Sequence, residues 1–320
     1  MPGGKGDEAV FGGNVVNKVT ITNVAASVRQ KLLNRAKNDR RPFQELLQYY
    51  AMERFLYRLS CSEHSERFVL KGALMLRIWS SDDYRSTMDI DMLGKTSNDL
   101  SAIESQIREI LKADVPSDGL VFLPDTIQCA NITEDADYKG VRVRFQGVLD
   151  SARIAMQVDI GFGDIVYPAP EINLMPTFLD QPAPRVLCYS RESAIAEKFE
   201  AMVRLGDLNS RMKDFYDIWQ LSRQFDFDGT RLVQAIKQTF EHRETSINLD
   251  IVFTDAFVQN HQVQWKAFIK RLLQPHNPEQ FSEILIQVRS FLVQPAVSLA
   301  EDRPFSGKWL APGPWQSTTN

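Results

Sequence analysis

Apolar residues recur every three to four positions through Val24, Val28, Leu32 and Ala36, and again through Phe43, Leu46, Leu47, Tyr50 and Phe55 to about Leu59. That period marks one face of an α-helix, so two helices are predicted ahead of the first strand. RFVLKG, short and apolar and closed by Gly72, predicts a strand and a turn, and ALMLRIW is compatible with a helix packed behind it. DIDML predicts a second strand, and Leu100, Ile103, Ile107, Ile110 and Leu111 predict a helix over 99–112. From 120 the period falls to two. VFLPDTIQCANI predicts a strand region, and VRVRFQGVL with RIAMQVDIGF predicts a hairpin turning at Asp150 to Ala152. The proline-rich stretch from Pro168 to Pro184 reads as a linker or surface excursion. Beyond it Ser190 is placed to cap a helix through Ala194, Ile195, Lys198, Phe199, Met202 and Val203. Amphipathic segments follow at about 213–223, 230–242, 255–273 and 279–293, with Phe215, Trp219, Phe240, Phe257, Trp265 and Phe268 at core spacing.

This order predicts an α/β domain over 19–185, a small mixed β-sheet flanked by helices with two of them leading, and a helical C-terminal domain over 186–297. A glycine-rich flexible N-terminus, 1–18, and an aperiodic C-terminal arm, 298–320, complete the division.

Composition narrows the class. A chain of 320 residues with 43% hydrophobic content can bury a real core. No apolar stretch is long enough to span a bilayer and the first residues lack a signal-peptide core, so no membrane partner and a cytoplasmic location are expected. Cys61, Cys129 and Cys188 lack metal-ligand spacing, and the four histidines are scattered, which leaves zinc and histidine-triad chemistry without support. The net charge of -4 argues against wholesale coating of nucleic acid but permits local basic patches. Arg29, Lys31, Arg35, Lys37, Arg40 and Arg41 form one, read as a solvated helix face before an RNA surface. Arg191, Lys198, Arg204, Arg211 and Lys213 form another.

The chemistry lies in the second strand. Met88, Ile90 and Met92 alternate with Asp89 and Asp91, so period-two geometry puts both carboxylates on one face, about 7 Å apart. Their repulsion is roughly 2 kcal/mol at an effective dielectric near 20, which a hard divalent ion such as Mg2+ would offset. The bland alternative is a solvated strand end. Ile154, Met156, Val158 and Ile160 share one face of the last hairpin strand, which leaves Asp159 on the other as a third carboxylate able to meet the first two. Three such carboxylates are the minimal apparatus for nucleotidyl transfer, with the third able to orient or deprotonate an attacking hydroxyl. Lys198 and Lys71 are candidate cations for the triphosphate. Lys71 and Gly72 are equally readable as a strand end and its turn. Arg85 and Ser86 read as local salt-bridge partners, and Asp164 and Asp207 as ordinary surface residues.

The segments ERFLYRLSCSEHSERFVLKGALML, RSTMDIDML, QVDIGFGD, SAIAEKFEAMVRL and MKDFYDIWQL, in this order, make the chain resemble the AbiEii/AbiGii nucleotidyltransferase-like toxins of the DNA polymerase beta type superfamily. The likeness covers roughly 23–295. It implies a nucleotidyltransferase domain that uses an NTP as substrate with Mg2+, Asp89 and Asp91 as metal ligands and Asp159 as the third acidic position. It further implies Lys198, and Lys71 with Gly72, at the triphosphate, and Asp214 as the aspartate of the following motif. Asp217 beside it could instead serve helix packing, and both aspartates could bond backbone or Arg211. An RNA acceptor, with tRNA foremost, a cognate antitoxin and a role in phage resistance are the implied biological setting. The chain departs from the pattern in having Lys71, Gly72 and Ala73 where Gly-Ser is common, and Gln157 where a basic residue often precedes the third aspartate. Two other functions fit fewer of these residues: a DxD glycosyltransferase, which needs neither Asp159 nor Lys198, and a non-catalytic interaction protein.

Overall fold

The computed structural model describes residues 23–79, 85–132, 140–249, 253–272 and 277–317. The expectation for residues 1–18 lies outside them. Helix α1 (Val24–Asn38) begins where the Asn23 side chain accepts the Ala26 amide at 3.0 Å, and α2 (Phe43–Cys61) is buried along most of its length. Strand β1 (Phe68–Lys71) turns at Gly72 into α3 (Leu74–Trp79), and β2 (Ile90–Gly94) is followed by α4 (Leu100–Leu111), capped by Asp99. Strands β3 (Leu120–Ile132), β4 (Gly140–Leu149) and β5 (Ala152–Phe162) form a meander with a register shift between Leu123 and Gln128, beside Pro124. The expected hairpin turn is present, with Asp150 at φ 55°.

The proline-rich stretch is not a linker. It contains β6 (Glu171–Leu174), which pairs antiparallel with β7 (Arg185–Cys188) at the edge of the sheet. Met175 and Phe178 within it are core residues, and the Phe178 amide donates to the buried Glu53 carboxylate at 2.9 Å. Prolines flank β6 without entering it, and its four mostly exposed residues carry no buried alternation that would have marked a strand. Among the described residues the main sheet has seven strands in the order β3-β4-β5-β2-β1-β7-β6, antiparallel except where β2 joins β5 and β1 joins β7. Helix α2 packs on β5 and β7, and α4 on β3, so the core-facing residues Val158 and Ile160 meet helices while Asp159 faces away from them.

Ser190 caps α5 (Arg191–Leu205) by accepting the Ser193 amide at 3.1 Å, as its position predicts. A 3-10 turn leads into α6 (Met212–Gln224), then β8 (Phe227–Asp228), α7 (Gly229–His242), α8 (Asp255–Ile269) and α9 (Phe281–Ala300), with Pro295 inside the last helix. The final segment packs rather than trailing: β9 (Lys308–Trp309) and β10 (Trp315–Gln316) add to β8 in a three-stranded sheet. Trp309 is fully buried and donates its indole N–H to the Ser222 carbonyl at 2.6 Å. Two tryptophans supply this segment with enough buried area to dock without any helical period.

Candidate active site

Strand register assembles the site. β1 and β2 pair with Lys71 opposite Asp91, β2 and β5 with Asp91 opposite Asp159, and β5 and β4 with Asp159 opposite Arg142. Opposed residues share a face, so these four side chains form a row across four strands spaced about 4.8 Å apart. Its charges run plus, minus, minus, plus. Asp89 lies just before β2 on the same face, and carboxylate oxygens of Asp89, Asp91 and Asp159 fall within 4.8 Å of one another. Lys71, Gly72, Asp89, Asp91, Asp159, Lys198 and Asp214, widely separated in sequence, all line one cavity of about 450 Å³ between the sheet and helices α5 and α6.

Backbone constraints hold the acidic pair. The Asp89 Oδ1 accepts the Thr87 hydroxyl at 2.5 Å, the Thr87 amide donates to the Tyr49 hydroxyl at 3.0 Å, and the Gln48 side-chain amide donates to the Met88 carbonyl at 3.2 Å. Gly72 has φ +73°, and a Cβ there would sit 2.0 Å from Asp91 Oδ2, so the turn needs glycine for both conformation and space. Burial and the Asp89 charge, with a contribution from Asp159, push the Asp91 carboxyl up to about 6 against the pull of Lys213 and Lys71. Crowded carboxylates that resist ionising together are the donor set a hard divalent cation fits. The three aspartates would therefore hold it.

The helical wall carries the cations. Lys198 Nζ lies 3.0 Å from Asp214 and 2.8 Å from Asp217. Burial works against the Lys198 charge, but the two carboxylates outweigh it and raise its pKa. Arg85 grips Asp217 with two bonds, Nε to Oδ1 at 2.6 Å and Nη2 to Oδ2 at 2.9 Å, and Arg211 reaches Asp214 at 2.9 Å. Burial opposes ionisation of Asp217, yet Arg85 and Lys198 hold it down to about 2. Arg85 thus bonds across the molecule, not locally, and carries the lead-in to β2 onto α6. Arg204, Arg211 and Lys213 also line the cavity, while the N-terminal basic cluster does not. On α1, Arg35 pairs with Asp39.

Asp164 is not a surface residue. Its side chain is 5% exposed, and it pairs with Lys71 and with Arg243 at 2.8 Å each. Lys71 also meets Glu197 at 2.9 Å, and Arg243 meets Glu200 at 2.8 Å. Lys71 is thereby anchored in an ionic cluster on the wall of the cavity. Sequence reasoning missed this cluster because its members come from β1, the end of β5, α5 and the residue after α7. It also missed Arg142, whose Nε and Nη2 bind Asp159 Oδ1 and Oδ2 at 2.9 and 2.8 Å. Where Gln157 stands in place of a basic residue, the guanidinium comes instead from the neighbouring strand.

The profile described as nucleotidyl transferase AbiEii toxin, type IV TA system, matches residues 54–287. Two solved structures from Helicobacter pylori are similar at 14% identity. One, described as a nucleotidyltransferase, has a TM-score of 0.47 over 82% of this chain and 99% of its own. The other, JHP933, has a TM-score of 0.45 over 81% and 97%. No curated protein matches the chain.

Proposed function

The chain belongs to the nucleotidyl transferase AbiEii toxin family and is a nucleotidyltransferase, and we propose that it moves a nucleoside monophosphate from an NTP, with Mg2+, onto an RNA acceptor, foremost tRNA. Its setting is a toxin-antitoxin system with a cognate antitoxin and a role against phage. The observation that carries this reading is the row Lys71, Asp91, Asp159, Arg142 with Asp89 beside it, facing a basic wall across one cavity. A glycosyltransferase built on the acidic pair alone accounts for neither Asp159 nor Lys198.

The three aspartates would hold the cation, which supplies charge neutralisation at the α-phosphorus and lowers the cost of forming the new bond. In the transfer an acceptor hydroxyl oxygen bonds to the α-phosphorus, the bond to the bridging oxygen breaks, and pyrophosphate leaves with that electron pair. The hydroxyl proton passes to a carboxylate of the cluster, with Asp159 assigned that part. Lys198 has three N–H donors, two of them directed at Asp214 and Asp217, so a third serves the triphosphate while the aspartates fix its position. No described helix is long and apolar enough to cross a membrane.

The test incubates the protein with Mg2+, each α-labelled NTP in turn and total bacterial RNA, beside Asp91→Ala. Label in tRNA-sized RNA that disappears in the variant is the expected result and names the nucleotide. Absence of label with every NTP, alongside Mg2+-dependent nucleotide binding, would reject RNA as the acceptor.

A further inference from the structure

Asp159 is the one member of the acidic cluster whose two oxygens are both taken by a cation. Arg142 binds them as a fork, 2.9 Å to Oδ1 and 2.8 Å to Oδ2, and Gln157 Nε2 adds a donor to Oδ2 at 3.2 Å. Asp91, next in the row, has no ion-pair partner in contact among the described residues, and Asp89 takes only the Thr87 hydroxyl. A divalent ion drawing on Asp159 from the cavity side would bring its charge against the guanidinium, within a few ångströms and in a half-buried site. The two cations compete for one carboxylate.

We propose that Arg142 is the resident counter-ion of Asp159: it holds this carboxylate until a divalent cation takes it, and the released guanidinium then binds a phosphate oxygen of the triphosphate. The proposal rests on reading Asp89, Asp91 and Asp159 as a cation site. Three observations carry it beyond that reading. Arg142 lies at the end of the charged row, across the strand from Asp159, so a side-chain rotation is enough to exchange partners. Its side chain is 23% exposed and lines the cavity, which leaves room for that rotation. The fork that fits both carboxylate oxygens fits two phosphate oxygens equally well, which a lysine ammonium does not. At the opposite end of the row Lys71 pairs with Asp164 and Glu197, outside the three-aspartate cluster.

A fixed structural arginine would orient Asp159 for the ion, and its removal would weaken ion binding. A displaced counter-ion predicts the opposite sign. The experiment measures Mn2+ binding by calorimetry to the full chain as wild type, Arg142→Gln, Arg142→Lys and Asp91→Asn, and then tripolyphosphate binding at saturating Mn2+. Tripolyphosphate carries no base, so the unidentified nucleotide does not enter. Arg142→Gln is expected to tighten Mn2+ by about fivefold or more and to weaken tripolyphosphate by about tenfold. Arg142→Lys keeps the charge without the fork, and is expected to leave Mn2+ near wild type while weakening tripolyphosphate. Unchanged or weaker Mn2+ binding in Arg142→Gln, with wild-type binding that Asp91→Asn removes, overturns the counter-ion role and leaves the cation site standing. Mn2+ binding that Asp91→Asn does not alter overturns the cation site and this proposal with it. Thermal unfolding of each variant separates either result from loss of the fold.

Discussion

The two walls of the cavity carry the same kinds of side chain and treat them in opposite ways. On the sheet, Asp159 alone of Asp89, Asp91 and Asp159 has a cation in contact among the described residues, Arg142, and the Asp91 carboxyl is driven up to about 6. On the helices, Asp214 and Asp217 are buried more deeply, yet Lys198, Arg85 and Arg211 hold both below the usual carboxylate range. Burial alone would raise all of them. The difference is the count of cations in contact, so one wall is a finished structure and the other is short of positive charge. An acidic site short of a cation is poised to bind one.

Breaking the sheet wall should cost the most activity. Asp91→Asn keeps the shape and removes the charge, and kcat is expected to fall at least about a thousandfold, equivalent to roughly 4 kcal/mol of transition-state stabilisation. A steady-state assay on purified RNA checks this, and activity within tenfold of wild type would remove Asp91 from the machinery.

Breaking the helical wall should instead cost stability. Asp217→Ala leaves Arg85 and Lys198 buried against a missing carboxylate, and about 3–5 kcal/mol of unfolding free energy is expected to go. Urea denaturation reads it directly. The wild-type Asp217 contribution has its own pH signature. Its folded pKa of about 2 lies under the ordinary 3.8, so the stabilisation is complete above pH 4 and disappears as pH falls through 2. A loss below about 1 kcal/mol would mean that the pair is not an anchor.

Gly72→Ala tests a contact inside the sheet wall, between the turn after β1 and the acid on β2. A Cβ at φ +73° beside Asp91 Oδ2 must push the carboxylate or the turn aside, and a cost of about 1–3 kcal/mol is expected with a fall in activity. Equal stability and activity in the variant would show that the close approach relaxes freely.

Much of the sheet wall could be read before folding, and little of the helical one. Alternation along RSTMDIDML and RIAMQVDIGF places three carboxylates on outward faces. The hairpin turn also fixes which residue lies opposite Asp159. With Leu149 opposite Ala152, seven steps back along each strand set Arg142 opposite Asp159, a pairing that local pattern specifies completely. The parallel register of β2 on β5 has no such local signature, because the strands are joined through a helix and two other strands. Arg85 with Asp217 and Lys71 with Asp164 are likewise tertiary. A lone arginine or aspartate carries no period, so Asp164 looked like surface while the fold buried it.

The smallest expected effect distinguishes the walls most cleanly, because it has opposite signs on the two sides. Asp91 binds its proton more tightly folded, about 6, than unfolded, 3.8, so the native state holds the extra proton between those values. Stability therefore falls as pH rises from about 4 to 6 and stays lower above it, by on the order of 2 kcal/mol. The Asp217 contribution changes with pH in the reverse direction and only below pH 4, so the two windows do not overlap. Asp91→Asn cannot ionise and is expected to unfold a few degrees above wild type at pH 7.5 and at nearly the same temperature at pH 4. Burial also raises the Glu53 carboxyl, but that group titrates in both proteins and cancels in the difference. Parallel melting curves at both pH values would mean that the sheet wall is already neutralised, and the asymmetry between the walls would be lost.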